Sequence, residues 1–215
     1  MALRLSALLA DPLPVLSQGA RDRMVPGALA PLLGQPALRR SLSANLRRRP
    51  EGAVLSRIAD RLVAGDLPDA ARRVFDIALL PLARLDPLLA RLAAVIHAPR
   101  FRAAVLKSDR AALQALFGPE LSRLATEEGL SLLAPLGELD DGAPFPPAAA
   151  PGLTSDHPAR RRALEVLCAR LAQGSGEAAA LLWWRMTGSG APDWPHLTAR
   201  QDACLATLLA RGGVS

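Results

Sequence analysis

Apolar residues recur along this chain at helical intervals, and proline marks where one run stops and the next begins. Downstream of Asp86-Pro87, residues Leu88, Leu89, Leu92, Val95 and Ile96 follow the i, i+3, i+4, i+7 spacing of one helix face, with Arg84 and Arg91 off that stripe. Asp suits the N-cap, and Pro suits the first helical position, where its missing N–H costs nothing. Pro99 ends that run and opens another, whose apolar residues are Phe101, Val105 and Leu106. Ser108 predicts the cap of a short helix carrying Leu113, Leu116 and Phe117, which Gly118 stops. Pro119 starts a further helix with Leu121 and Leu124, weakened in its second half by Gly129. Upstream, helices are predicted over 36–48, 53–64 (Leu55, Ile58 and Leu62 inward) and 68–80. Asp66 or Asp69 is placed to accept hydrogen bonds from the first turn of the last of these.

The pattern breaks from Gly137 to Pro158, where Asp140-Asp141-Gly142 is followed by Pro144, Pro146, Pro147 and Pro151 with alanines between. That composition reads as an extended Pro/Ala-rich linker with a solvated acidic start. Three more helices follow. One carries Leu164, Leu167, Cys168 and Leu171, and a second spans about 175–186. The third opens at Thr198-Ala199-Arg200-Gln201, a capping box, and carries Cys204, Leu205, Leu208 and Leu209 before Gly212-Gly213. The expected organisation is therefore an N-terminal helical domain (1–136), a linker (137–157) and a three-helix C-terminal unit (158–215). A unit that small is marginal alone and is expected to dock on the larger part. Runs of alternating β-branched residues are missing, as are repeats at a solenoid period. The fold class is all-α, a bundle of short helices with the smaller C-terminal unit docked on it.

Composition sharpens this picture. Half of the 215 residues are apolar but only 3% are aromatic, with no Tyr, so Leu, Ala and Val must build the core. An aromatic-rich β-sandwich and an aromatic base-stacking platform are both excluded. Basic residues number 26 against 20 acids, a formal +6, and Lys107 is the only lysine. Such a preference for Arg follows from the codon bias of a GC-rich genome, which discounts part of the charge. The excess gathers at Arg39, Arg40, Arg47, Arg48 and Arg49, a stretch without an acid, and again at Arg160-Arg161-Arg162. Either cluster can meet phosphate or an acidic protein surface, but a solvated helix face explains both more simply. Cys168 and Cys204 are too few for a disulfide scaffold or a zinc site and fit a reduced, cytosolic compartment. The apolar run of the first ten residues is stopped by Asp11-Pro12, too early for a secretory signal. Every longer apolar stretch holds prolines or charges, so a soluble protein is expected.

Catalytic equipment is hard to find. Lys107-Ser108 lacks the glycines of a phosphate-binding loop, and Gly174-Ser175-Gly176 and Gly188-Ser189-Gly190 follow no strand. His97, His157 and His196 share no metal-ligand spacing with another His, Cys or carboxylate. His97 ends an apolar helix, where an imidazolium would suit the dipole, while His157 and His196 sit beside prolines at exposed joints. Glu127 and Glu128 are adjacent and diverge on a helix. Trp183-Trp184 is the one aromatic concentration. Adjacent helical positions let one Trp enter the core while the other stays at its margin beside Arg185, the pattern of a protein-binding hot spot. The competing and simpler reading packs both against Trp194 and the last helix. No metal, cofactor or active site is expected.

The succession Leu85, Leu88-Leu89-Ala90-Arg91-Leu92, Val95-Ile96-His97, Arg102, Val105-Leu106, Leu113 and Leu116-Phe117-Gly118 resembles one family. It is similar to the K-type accessory proteins of type III secretion systems, which are Leu-rich, helical and about this long. The run from Ala178 to Arg185 also falls where members carry an apolar stretch closing on a basic residue. The chain departs from the pattern just after, reading Met186-Thr187-Gly188 where members tend toward Lys-Leu-Pro. The likeness covers about half of the sequence. It implies a non-enzymatic cytosolic adaptor of the injectisome sorting platform. Such an adaptor bridges the cytoplasmic domain of the inner-membrane ring protein to the C-ring-like pod protein and so to the ATPase complex. It implies no small-molecule substrate and reaches the membrane only through the ring protein. The two gripping edges would be Arg39, Arg40, Arg47, Arg48 and Arg49 on one side and Trp183, Trp184 and Arg185 on the other. An Arg-rich nucleic-acid-binding protein is the alternative, disfavoured by the lack of Tyr and of a helix-turn-helix signature. An enzyme with an unrecognised site is a third.

Overall fold

The computed structural model describes residues 2–25, 27–48, 53, 57, 58, 60, 61, 64, 68–145, 152–154 and 156–212. Among them every regular element is a helix, so the chain is all-α. It divides into two compact units, each assembled from separate stretches of sequence: Met1–Leu82 with Leu167–Trp194, and Ala83–Val166 with Pro195–Ser215.

The first unit contains α1 (Ala2–Ala10), α2 (Gln18–Met24), α3 (Pro36–Arg48) and α4 (Asp69–Ala78). Two 3-10 segments, Leu13–Val15 and Gly27–Gly34, fall between them. The unit is completed by the second half of α9 (Pro158–Gly174) and by α10 (Gly176–Thr187). Ser17 caps α2 by accepting from Ala20 N–H, and its hydroxyl donates to Met186 O at 2.6 Å. One side chain thereby starts a helix and fastens it to the end of α10. Ser175 caps α10, and Gly188 ends it in the left-handed conformation at φ 72, donating to Trp184 O. A Cβ on Gly188 would stand 3.0 Å from Met24 Cε and 3.1 Å from Ala20 O, so only glycine turns the chain this close to α2. α10 packs on α2 and α4, and Leu16, Ala20, Phe75, Ala78, Leu181 and Leu182 lie fully inside. Asp11 links the end of α1 to α3 by accepting from Ser43 Oγ and Arg39 Nε. Of the helix predicted over 53–64, Ile58 is helical and buried, while Leu55 and Leu62 lie outside the described residues, as does Asp66.

The second unit is organised around α5 (Leu82–Ile96) from Ala83 onward. It adds α6 (Ala98–Ala103), α7 (Lys107–Leu124), a π-helical turn (Ala125–Gly129), α8 (Ala134–Gly137), the first half of α9 and α11 (Ala199–Arg211). The stripe predicted on α5 is its buried face, with Leu89, Leu92, Val95 and Ile96 at 0% exposure. The start of that helix differs from expectation. α5 begins at Leu82, so Pro87 lies inside it, and the Asp86 carboxylate binds Arg160 on α9 instead of capping. Leu106, with no side-chain cap, precedes α7 in place of Ser108. The break predicted at Gly118 is present as a single non-helical residue at φ 77, after which Pro119 resumes the helix. Gly129 marks a close approach: a Cβ there would stand 2.6 Å from Ala98 Cβ. The capping box of α11 forms in full, Thr198 accepting from Gln201 N–H and Gln201 from Thr198 N–H.

The unit boundaries depart from the expected 1–136, 137–157 and 158–215. The chain passes between units within α9, at Val166–Leu167, and again at Trp194–Pro195. Much of the expected linker belongs to the second unit. Gly137 closes α8, Asp140 binds Arg100, Gly152 N–H donates to Ala115 O at 3.1 Å, and His157 is buried. Residues 146–151 and 155 lie outside the described residues. Prolines and alanines remove the periodic signal there, but they leave polar and aromatic side chains that pack.

Candidate functional site

The expected basic edge lies on α3. Arg39, Arg40 and Arg48 are exposed there, Arg47 belongs to the same helix, and Arg49 lies outside the described residues. Arg40 Nε donates to Pro36 O at 3.3 Å, one turn back along its own helix. Arg39 pairs with Asp11, so one cation of the edge is already neutralised. Arg39, Arg40, Asp11 and Ser43 line a shallow cleft of about 390 Å³. This surface can take a carboxylate or a phosphate, with Arg40 and Arg48 supplying the charge.

The expected aromatic edge is not at the surface. Trp183 and Trp184 are 1% and 2% exposed, and Arg185 is 2% exposed. Trp183 packs edge-on against Trp194 at 5.5 Å and donates from Nε1 to Ser189 Oγ. Arg185 donates to the carbonyls of Val15, Ala78 and Leu80. Ala78 and Leu80 lie at the C-terminus of α4, where helix carbonyls lack partners and the dipole favours a cation. A residue that reads as part of a hot spot is thus a buried clamp on the end of a neighbouring helix. Burial lowers its guanidinium from its usual value to about 10, which leaves it charged at neutral pH.

A second buried centre, in the other unit, escapes the sequence reading. Arg100 on α6 grips Asp140 through both Nε and a terminal nitrogen and also donates to Ala143 O. Gly142 N–H adds a bond to the same carboxylate at 3.0 Å. His97 Nδ1 lies 3.1 Å from Asp140 Oδ1. Phe145 covers the group: Arg100 Cζ stands 4.0 Å above its ring, and His97 and His157 meet it edge-on at 4.9 and 5.2 Å. Burial alone would raise the Asp140 carboxyl, but Arg100, Gly142 and His97 outweigh it and hold it at about 2. Burial dominates at His97 and lowers its imidazole below the usual 6.5 despite Asp140, and His157 is lowered by burial and by Arg100. Neither histidine therefore matches its expected role as an exposed or dipole-capping group, and Asp140 is not a solvated turn residue. Arg100 and His97 are distant from it in sequence, and no local pattern announces them.

His97 is 1% exposed, and through Asp140 the cluster ties residues 140–145 to the start of α6. Among the described residues no group of His, Cys, Asp and Glu is placed to hold a metal ion. None of their helices is long and apolar enough to cross a membrane. Cys168 is buried and donates from Sγ to Ala179 O at 3.6 Å, Cys204 is half-buried, and neither is joined in a disulfide among the described residues. Comparison of the chain with protein families, with curated proteins and with solved structures finds no match.

Proposed function

We propose that this chain is a non-enzymatic adaptor of a type III secretion sorting platform. In this reading it joins the cytoplasmic domain of the inner-membrane ring protein to the C-ring-like pod protein and through it to the ATPase complex. The observation that carries the reading is the stretch from Leu85 to Leu133, whose apolar succession resembles the K-type accessory proteins. An adaptor needs a packed frame and separate patches for its neighbours. Leu85, Leu88, Leu89 and Leu92 supply frame, being buried in the second unit. Arg39, Arg40 and Arg48 offer a basic patch on the first. Trp183, Trp184 and Arg185 have no part in it because they are interior.

The exposed arginines of α3 also favour nucleic-acid binding as the second reading, although Asp11 reduces the local positive potential there. Size-exclusion chromatography with light scattering separates the two. Mixed with the candidate ring domain and pod protein of the same genome, the chain is expected to co-elute with both. Arg40→Glu with Arg48→Glu is expected to weaken one of these contacts by about tenfold or more while sparing the other. Failure to join either protein, together with duplex DNA binding whose affinity drops steeply with added salt, overturns the adaptor in favour of the second reading.

A further inference from the structure

Val105 and Leu106, two of the apolar residues in the run after Pro99, are 83% and 63% exposed. They form the tip of the connection between α6 and α7. The tip is held rather than loose. Ala104, which precedes it, is buried and donates its N–H to Arg100 O at 2.9 Å. Arg110 Nε then donates to Ala104 O at 2.8 Å from the first turn of α7. The backbone that leads into the tip is consequently anchored, which lowers the cost of ordering it when a partner binds.

Charge surrounds the tip on both sides. Arg102, Lys107 and Arg110 are exposed, and from Ala98 to Pro119 the only acid is Asp109. Arg100 is already committed to Asp140. Arg110 also lines a cleft of about 530 Å³ that has Phe101 and Pro119 as apolar walls and Gln114 and Arg123 as polar ones. Arg110 therefore joins an apolar tip to a concave, cation-bearing groove. An anionic membrane would use the tip and the cations but would leave the groove empty, whereas a peptide fills both.

We propose that the Val105–Leu106 tip and the adjoining cleft are the docking surface for an acidic–apolar segment of a partner protein. The segment's aliphatic side chains lie on Val105 and Leu106, and its carboxylates meet the terminal nitrogens of Arg110 together with Arg102 and Lys107. The proposal goes beyond the adaptor reading and does not depend on which assembly the protein serves.

The test uses the full chain and a short fluorescent peptide of alternating Leu and Glu, a matched Leu/Gln peptide, and phosphatidylserine-containing vesicles. The Leu/Glu peptide is expected to bind about tenfold or more tightly than the Leu/Gln peptide and to weaken as salt is added. Val105→Ser with Leu106→Ser, and separately Arg102→Glu with Lys107→Glu, are each expected to reduce that binding by about tenfold while leaving the thermal midpoint unchanged. Both pairs are exposed, so loss of fold does not mimic loss of docking. Equal binding of the two peptides, indifference to both double substitutions, or binding of vesicles in place of peptide each overturns the proposal. So does self-association of the chain that the Val105→Ser/Leu106→Ser variant abolishes, which would make a second copy the occupant.

Discussion

Arg185 shows how far a single side chain can depart from what its neighbours in sequence suggest. Next to two tryptophans it reads as an interface residue, yet its donors are spent on Val15, Ala78 and Leu80. The reason lies in α4, whose C-terminal carbonyls are distant in sequence and carry no local sign of needing a cation. Arg185→Met keeps much of the apolar stem and strands those acceptors inside. Each orphaned acceptor costs about 1–3 kcal/mol, partly offset by no longer burying a charge, so a net loss of about 2–4 kcal/mol is expected from urea denaturation. An unchanged midpoint would show that the clamp is idle. The Asp140 centre gives a second prediction, in pH. Asp140 is lowered from 3.8 to about 2, so its contribution to stability is complete above the higher value and is lost as pH falls toward the lower. His97 and His157 are lowered from 6.5, so their contribution is complete above that value and is lost as pH falls through their folded-state values. Arg100 and Asp141 also face His97, the first lowering and the second raising it. Acid titration of the denaturation midpoint should thus show a decline that sets in below pH 6.5 and another below 3.8. The double variant His97→Gln/His157→Gln should lose the first decline and keep the second, and persistence of the first would contradict the assignment.

Helices are the most legible part of this sequence. The span over 36–48, the capping box at Thr198 and the buried stripe from Leu88 to Ile96 follow from spacing and caps, which act within a few residues. Misreadings arise where a distant partner competes with a local rule. Asp86 resembles a cap but serves Arg160. Gly129 closes the π turn that follows α7, and its lack of a side chain also lets that turn approach α6, a contact no local spacing announces. Gly129→Ala would drive its Cβ into Ala98 Cβ, and a loss of about 2 kcal/mol is expected. In an Ala98→Gly background the same substitution should cost clearly less, and a double-mutant cycle with no coupling would contradict the contact. Gly118→Ala is the control. Its φ of 77 and ψ of 168 lie in a region almost confined to glycine but open space surrounds it, so a loss of about 1–3 kcal/mol is expected from backbone strain alone.

Division of the whole chain is the least legible. A proline-rich stretch marks where periodicity ends, and Gly137 to Pro158 reads as a boundary on that ground. Packing sets the division instead, and Arg100, Phe145 and His157 draw both ends of that stretch into the second unit. Residues 158–166 and 195–215 belong to one unit and 167–194 to the other, so a fragment of 158–215 carries only part of each. Expressed alone it is expected to lack a cooperative thermal transition by circular dichroism, and a sharp melt would show that it folds by its own contacts. The interleaved path bears on biogenesis as well. Synthesis proceeds from the N-terminus, so α2 and α4 leave the ribosome long before α10, which covers their apolar faces, has been made. Through that interval the nascent chain displays Leu16 and Phe75 to the cell, which makes it a natural client for chaperones that shield unfinished polypeptides.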